Sequence, residues 1–104
     1  MKVFISGKIT GQKKYREIFR DREGFLKVKG FAVMNPAVLP YPGFTHEEYL
    51  HICYAMIDTC DAVWFLPNWE ESTGSKLERA YAEKSGKLII EEVKYLKGEQ
   101  EICI

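Results

Sequence analysis

The sequence predicts an α/β protein with a parallel sheet, and three observations predict it. Four short apolar runs, "KVFIS", "FAVM", "AVWFL" and "KLII", are spread along 104 residues, and each has the length of a buried strand. Segments with helical spacing of apolar residues separate them. Strands that alternate with helices imply parallel pairing through right-handed crossovers. One domain, residues 1–104, accommodates all of this.

The first strand is "KVFISG" (2–7), closed by a glycine. A helix follows in which Tyr15, Ile18, Phe19 and Leu26 share one face, with Arg and Lys between them. Gly30 ends it, and residues 31–34 form the second strand. "NPAVLPYPG" (35–43) holds three of the four prolines and reads as an extended loop. Thr45 and Glu48 have the spacing of a capping box, so a helix starts there and runs to about Thr59. Its inward face is expected to be Leu50, Cys53, Met56, Ile57 and Cys60. "AVWFL" (62–66) is apolar throughout and therefore covered on both faces. The helix after Gly74 is expected to bury Leu77, Ala80 and Tyr81 and to end at Gly86, before the fourth strand at 87–90. The tail "EEVKYLKGEQEICI" is open between a short helix and an edge strand in its last four residues.

For four such strands the economical order is 2-1-3-4, a flavodoxin-like three-layer sandwich. Ligands bind outside the carboxyl ends of the strands where the order reverses, here between strands one and three. That brings "GKITG" (7–11) opposite "PNWEESTG" (67–74).

Composition narrows the function. Lys plus Arg and Asp plus Glu both number 15, which gives no basic excess for gripping a nucleic-acid polymer. No apolar run approaches the roughly 20 residues of a membrane helix, and no signal peptide precedes the first strand, so a cytoplasmic protein is expected. The cysteines are Cys53, Cys60 and Cys103. Their odd count and spacing fit buried thiols rather than disulfides or zinc, and His46 and His51 read as surface or satisfied histidines. No metal and no organic cofactor is expected.

Two loops carry the candidate chemistry. Gly7 permits a backbone to approach a ligand closely, although a strand-ending turn also uses glycine. Ser72, Thr73, Gly74 and Ser75 open a helix, and free N–H groups and hydroxyls there suit an anion such as a 5′-phosphate. Plain N-capping is the competing reading. Glu78, placed in the first helical turn, is either a reactive carboxylate or an acid complementing the helix dipole. Trp64 reads as core. Trp69, beyond the strand, either stacks on a nucleobase or packs on its own loop.

"FISGKITG", "NPA" and "CDAVWFLPNWEESTGSKLERAYAEKSGK" together resemble the nucleoside 2-deoxyribosyltransferase superfamily, including the 2′-deoxynucleoside 5′-phosphate N-hydrolases, over about residues 3–90. The resemblance implies a single deoxyribosyltransferase-like domain, usually a homodimer or higher oligomer, acting on a small nucleoside or nucleotide. It implies that Glu78 is the nucleophile that attacks the anomeric carbon. It further implies that Ser72 and Gly74 hold the 5′ group and that Gly7, Lys8 and Ile9 line the sugar and base pocket; Ser75 is expected to join them from its place at the helix start. Asn68 and Trp69 complete the expected binding set, and Asp61 matches a structural aspartate at a strand start. The expected function is cleavage or transfer of an N-glycosidic bond; a non-catalytic nucleotide-binding protein is the alternative. One position departs. Many relatives carry an aspartate where this chain has Cys53, so the leaving base needs another proton donor, such as Tyr49, His51 or Glu70.

Overall fold

A computed structural model describes residues 1–102. Four parallel strands, β1 (Lys2–Ser6), β2 (Ala32–Met34), β3 (Ala62–Phe65) and β4 (Leu88–Glu91), form one sheet in the order β2-β1-β3-β4. The expected fold and strand order are therefore present. The helices are α1 (Tyr15–Val28), α2 (His46–Asp58), α3 (Thr73–Lys84) and α4 (Glu92–Leu96). The tail forms the short helix α4; of the alternative edge strand, Cys103 and the last residue lie outside the described residues.

Alternation along the strands builds two cores, because successive side chains leave opposite faces. Val3, Ile5, Ala62, Trp64, Leu66 and Ile90 join Phe19 and Leu26 of α1 on one face. Phe4, Val63 and Phe65 join Cys53 and Ile57 of α2 and Ala82 of α3 on the other. The sheet is thus the middle of three layers. The capping box at α2 is complete: Glu48 N donates to Thr45 Oγ1 at 3.1 Å, and Thr45 N donates to Glu48 Oε1 at 2.8 Å. Gly30 and Gly86 take positive φ, 94° and 73°, just past α1 and α3, the left-handed turn that glycine adopts without strain. Asp61 accepts from Lys2 N at 2.8 Å and ties the starts of β1 and β3 together.

The inward face of α3 differs from the expected one. Leu77 is 43% exposed and Ala80 is also exposed, whereas Ser75, Glu78 and Ala82 are buried. The helix is turned so that a polar stripe meets the end of β1, and the aliphatic stripe faces outward. Glu78 also lies one turn further in than expected. The helix begins at Thr73 with Ser72 as its cap, and its first turn holds no acid.

Candidate active site

The carboxyl ends of β1 and β3 open into a cavity with about 430 Å³ of empty space, its open mouth included. Gly7, Ile9 and Thr10 from the loop after β1 line it, with Pro36 and Tyr41 from the proline-rich loop. His46, Tyr49 and Leu50 of α2 and Ser72, Gly74, Ser75 and Glu78 around α3 complete the wall. Six of the nine residues singled out from sequence thus surround one space: Gly7, Ile9, Ser72, Gly74, Ser75 and Glu78. The reversal of strand order between β1 and β3 is what opens it.

Glu78 sits at its inner end, 8% exposed. Ser6, the last residue of β1, donates its hydroxyl to Glu78 Oε1 at 2.6 Å, and Ser75 Oγ is 3.0 Å from Ser6 Oγ. The Cys53 thiol of α2 is a further polar neighbour that acts on the carboxyl. Burial pushes the Glu78 carboxyl from the usual 4.5 up to about 7, against the pull of Ser6 and Cys53. Desolvation favours the neutral acid, and among the described residues no cation acts on Glu78 to favour the anion. Burial, then the adjoining Glu78, push the Cys53 thiol far above its ordinary range, so it stays protonated at neutral pH. The aspartate-to-cysteine departure therefore sits directly beside Glu78. No second carboxylate among the described residues lines the cavity.

Ser72 caps α3 through the bond Ser75 N donates to its Oγ at 3.1 Å, and Lys76 N donates to Ser72 O. The amides of Thr73 and Gly74 precede the first intrahelical bond, so they remain available as donors. Around this end a broader depression is lined by Lys8, Thr10, Tyr41, His46, Glu71, Ser72, Thr73 and Gly74. Lys8 belongs to this outer rim, where its Nζ is 3.4 Å from Glu71 Oε1. Asn68 ties the two loops together by accepting from Lys8 N at 3.2 Å.

Trp69 does not line the cavity. Its ring meets Phe65 edge-on at 5.4 Å, and the Arg79 guanidinium lies 4.6 Å above it. It borders a separate depression with Pro67, Glu70 and Glu91. Gly7 has a packing reason as well as its place in the cavity wall: a Cβ there would fall 2.5 Å from Leu66 Cδ1.

Of the suggested proton donors, Tyr49 alone lines the cavity. Its hydroxyl donates to Pro36 O at 2.6 Å, and burial holds it protonated. His51 is exposed, and Glu70 faces the Trp69 side. The sequence reading set His46 aside as a surface or satisfied histidine and did not single out Tyr41, Thr10 or Ser6. His46 could have been found from the capping box, which makes it the first residue of a helix starting at the ligand end of the sheet. Tyr41 OH and Thr10 Oγ1, 2.9 Å apart, bridge two loops at the cavity mouth. Among the described residues no group of three or more His, Cys, Asp or Glu is gathered to hold a metal, and no helix is long and apolar enough to cross a membrane.

The fold is shared with two solved enzymes. A 2-desoxiribosyltransferase from Leishmania mexicana superposes with a TM-score of 0.68 at 18% identity, over 86% of this chain and 62% of the other. The chain thus spans less than two thirds of that protein's length. The Clostridium botulinum CMP N-glycosidase BcmB superposes with a TM-score of 0.64 at 24% identity, over 88% of this chain and 70% of the other. These likenesses are of fold, and the fold is the one that the sequence resemblance implies. No curated protein matches the chain in sequence. The chain belongs to the family described as Domain of unknown function (DUF4406), which matches residues 1–91.

Proposed function

We propose that the protein cleaves or transfers the N-glycosidic bond of a 2′-deoxyribonucleoside or its 5′-monophosphate, with Glu78 as the nucleophile. The observation that carries this reading is the buried Glu78 carboxylate at the inner end of the switch-point cavity, held by the Ser6 hydroxyl beside the Cys53 thiol and, among the described residues, by no cation. A carboxylate neutralised by a salt bridge is a poor nucleophile; one held only by neutral donors keeps its reactivity. In the ionised form it attacks C1′, and the C1′–N bond breaks with its electron pair leaving on the base. The base takes up a proton from a cavity donor or from water. Water or a second base then attacks C1′ and releases the carboxylate.

The free amides of Thr73 and Gly74, with Ser72, support a 5′-phosphate as the group bound at the α3 end. A monophosphate is then expected to bind more tightly than its nucleoside, and equal affinity in side-by-side titrations contradicts that part. Asn68, Lys8 and Trp69 belong to this reading as rim residues or supports of the binding loops. The outward Leu77 and Ile52, 43% and 39% exposed, support a homodimer joined through α2 and α3. A monomer mass by light scattering at micromolar concentration contradicts the dimer.

The test of the reaction is chromatography for free base after incubation with a panel of deoxynucleosides and their monophosphates. The expected result is release by the wild type and none by Glu78→Gln, whose amide cannot form the glycosyl ester. Equal release by both makes Glu78 a structural acid. A second reading, a nucleotide-binding protein without turnover, is favoured by Cys53 and by the lack of a second carboxylate along the cavity. Binding of a panel member without base release supports it.

A further inference from the structure

The end of β1 breaks its own pattern. Ser6 leaves the sheet on the same face as Phe4, toward α2 and α3, where the neighbours are Phe4, Cys53, Ile57, Val63 and Phe65. An aliphatic residue would fill that position, yet it holds a hydroxyl that is 1% exposed. A buried hydroxyl is costly unless hydrogen-bonded, and this one is bonded to two groups of α3. Ser75, itself 1% exposed, sits 3.0 Å away, and Glu78 Oε1 sits 2.6 Å away. A serine has one proton to give. With Glu78 ionised, Ser75 donates to Ser6 and Ser6 donates to the carboxylate. Donors in such a chain polarise one another. Ser6 does not itself line the cavity.

We propose that Ser6 is a positioning residue: relayed from Ser75, its hydroxyl anchors one oxygen of Glu78 and so aims the carboxylate into the cavity. Its catalytic consequence rests on the reaction proposed above, but its hold on Glu78 does not. The other group beside Glu78 is the Cys53 thiol, and the Tyr49 phenol lines the same cavity, both from α2; the Tyr54 ring, also on α2, stacks on Tyr81. Tyr41 and His46 line the same cavity nearer its mouth. No basic side chain among the described residues acts on Glu78. Ser6 is therefore the principal brake on the protonation that burial favours.

The test compares Ser6→Ala with the wild type in two ways. In protein carrying 13C at the glutamate carboxyls, the Glu78 resonance is identified by its loss in Glu78→Gln and followed with pH. It is expected to titrate near 7 in the wild type and roughly one unit higher in Ser6→Ala, the worth of one hydrogen bond to a charged group. Base release is expected to lose about ten- to a hundredfold in kcat with KM within about twofold, since Ser6 does not line the cavity. Ser6→Cys, close in size and a weaker donor, serves if alanine upsets the strand end, with a smaller shift in the same direction. An unmoved Glu78 titration, or unchanged kcat with only a lowered Tm, overturns the proposal. A shifted titration in a protein that releases base from no substrate upholds the hold of Ser6 on Glu78 and removes the glycosidic reading instead.

Discussion

Among the described residues two glutamates are buried, one on each face of the sheet, and their surroundings are opposite. Glu92, at the start of α4, is 2% exposed. Arg22 of α1 grips it with Nε at 2.6 Å from Oε1 and Nη2 at 3.1 Å from Oε2, while Trp64 Nε1 donates to Oε1 at 3.0 Å. Glu78, 8% exposed, has Ser6 and a protonated thiol. Glu92 is a staple: its charge is matched, its geometry is bidentate, and it fastens α4 and α1 over the Trp64 side of the core. Glu78 is left with its charge unmatched. Burial alone therefore says little about what a carboxylate does. What compensates the charge decides whether it holds the fold or is available for chemistry.

The comparison breaks most visibly if the staple is cut. Glu92→Gln leaves the Arg22 cation without its partner and weakens the grip on α4, a loss of about 2–3 kcal/mol. For a domain of this size that is a fall in Tm of roughly 10 °C. Thermal melting reads it, and base release by the folded variant is expected to stay at the wild-type level. A variant that melts normally but loses turnover reverses the roles assigned to the two glutamates.

Glu78→Gln should act in the opposite direction on stability. The Glu78 carboxyl titrates at about 7 in the fold against 4.5 when unperturbed, so the folded state binds its proton more tightly than the unfolded chain. Its contribution to stability is fully present below about pH 4.5 and is lost as pH rises to about 7. At pH 8 the ionised group costs on the order of 3 kcal/mol, with the hydrogen bond from Ser6 already counted in that shift. The amide variant is thus expected to be the more stable protein at pH 8, by about 1–3 kcal/mol, and to lose that advantage toward pH 4.5. Urea unfolding at the two pH values checks this. A constant gap means that Glu78 takes up its proton in the fold as it does in the unfolded chain, so that burial does not raise it.

The smallest effect sharpens the outline of the site. Trp69→Ala removes an indole that packs on Phe65 and Arg79, so it is expected to lower stability by about 1–2 kcal/mol and to leave KM within about twofold. A tenfold rise in KM at unchanged Tm shows that the indole stacks on a substrate base after all.

The strand order was legible because each strand is short, apolar and bounded by glycine or a charged turn, and because alternation with helices leaves few ways to arrange four strands. The α3 end of the site was legible for a local reason: Ser72, Gly74, Ser75 and Glu78 lie within seven residues of one another. Contacts across the fold were hidden. The rotation of α3 was read from its aliphatic stripe, Leu77 and Ala80, yet the helix buries Ser75 and Glu78 because Ser6 awaits them, 69 and 72 residues away in sequence. Trp69 stood open in the sequence between stacking on a base and packing on its own loop. It follows the strand directly, but the short 3-10 turn Trp69–Glu71 carries its ring onto Phe65 and out of the cavity. That the Cys53 position belongs to the candidate site was implied by the resemblance alone, and its place beside Glu78 was not read, since helical spacing gives a face and not a neighbour.

The most direct test of an uncompensated, reactive Glu78 is the pH dependence of kcat/KM for base release between pH 5 and 9, with the best substrate of the panel. This ratio reports the ionisation of the free protein. It is expected to rise about tenfold per pH unit below the Glu78 value of about 7 and to level off above it, because only the anion attacks. A profile already level from pH 5 upward, or one that falls as pH rises through 7, contradicts the account.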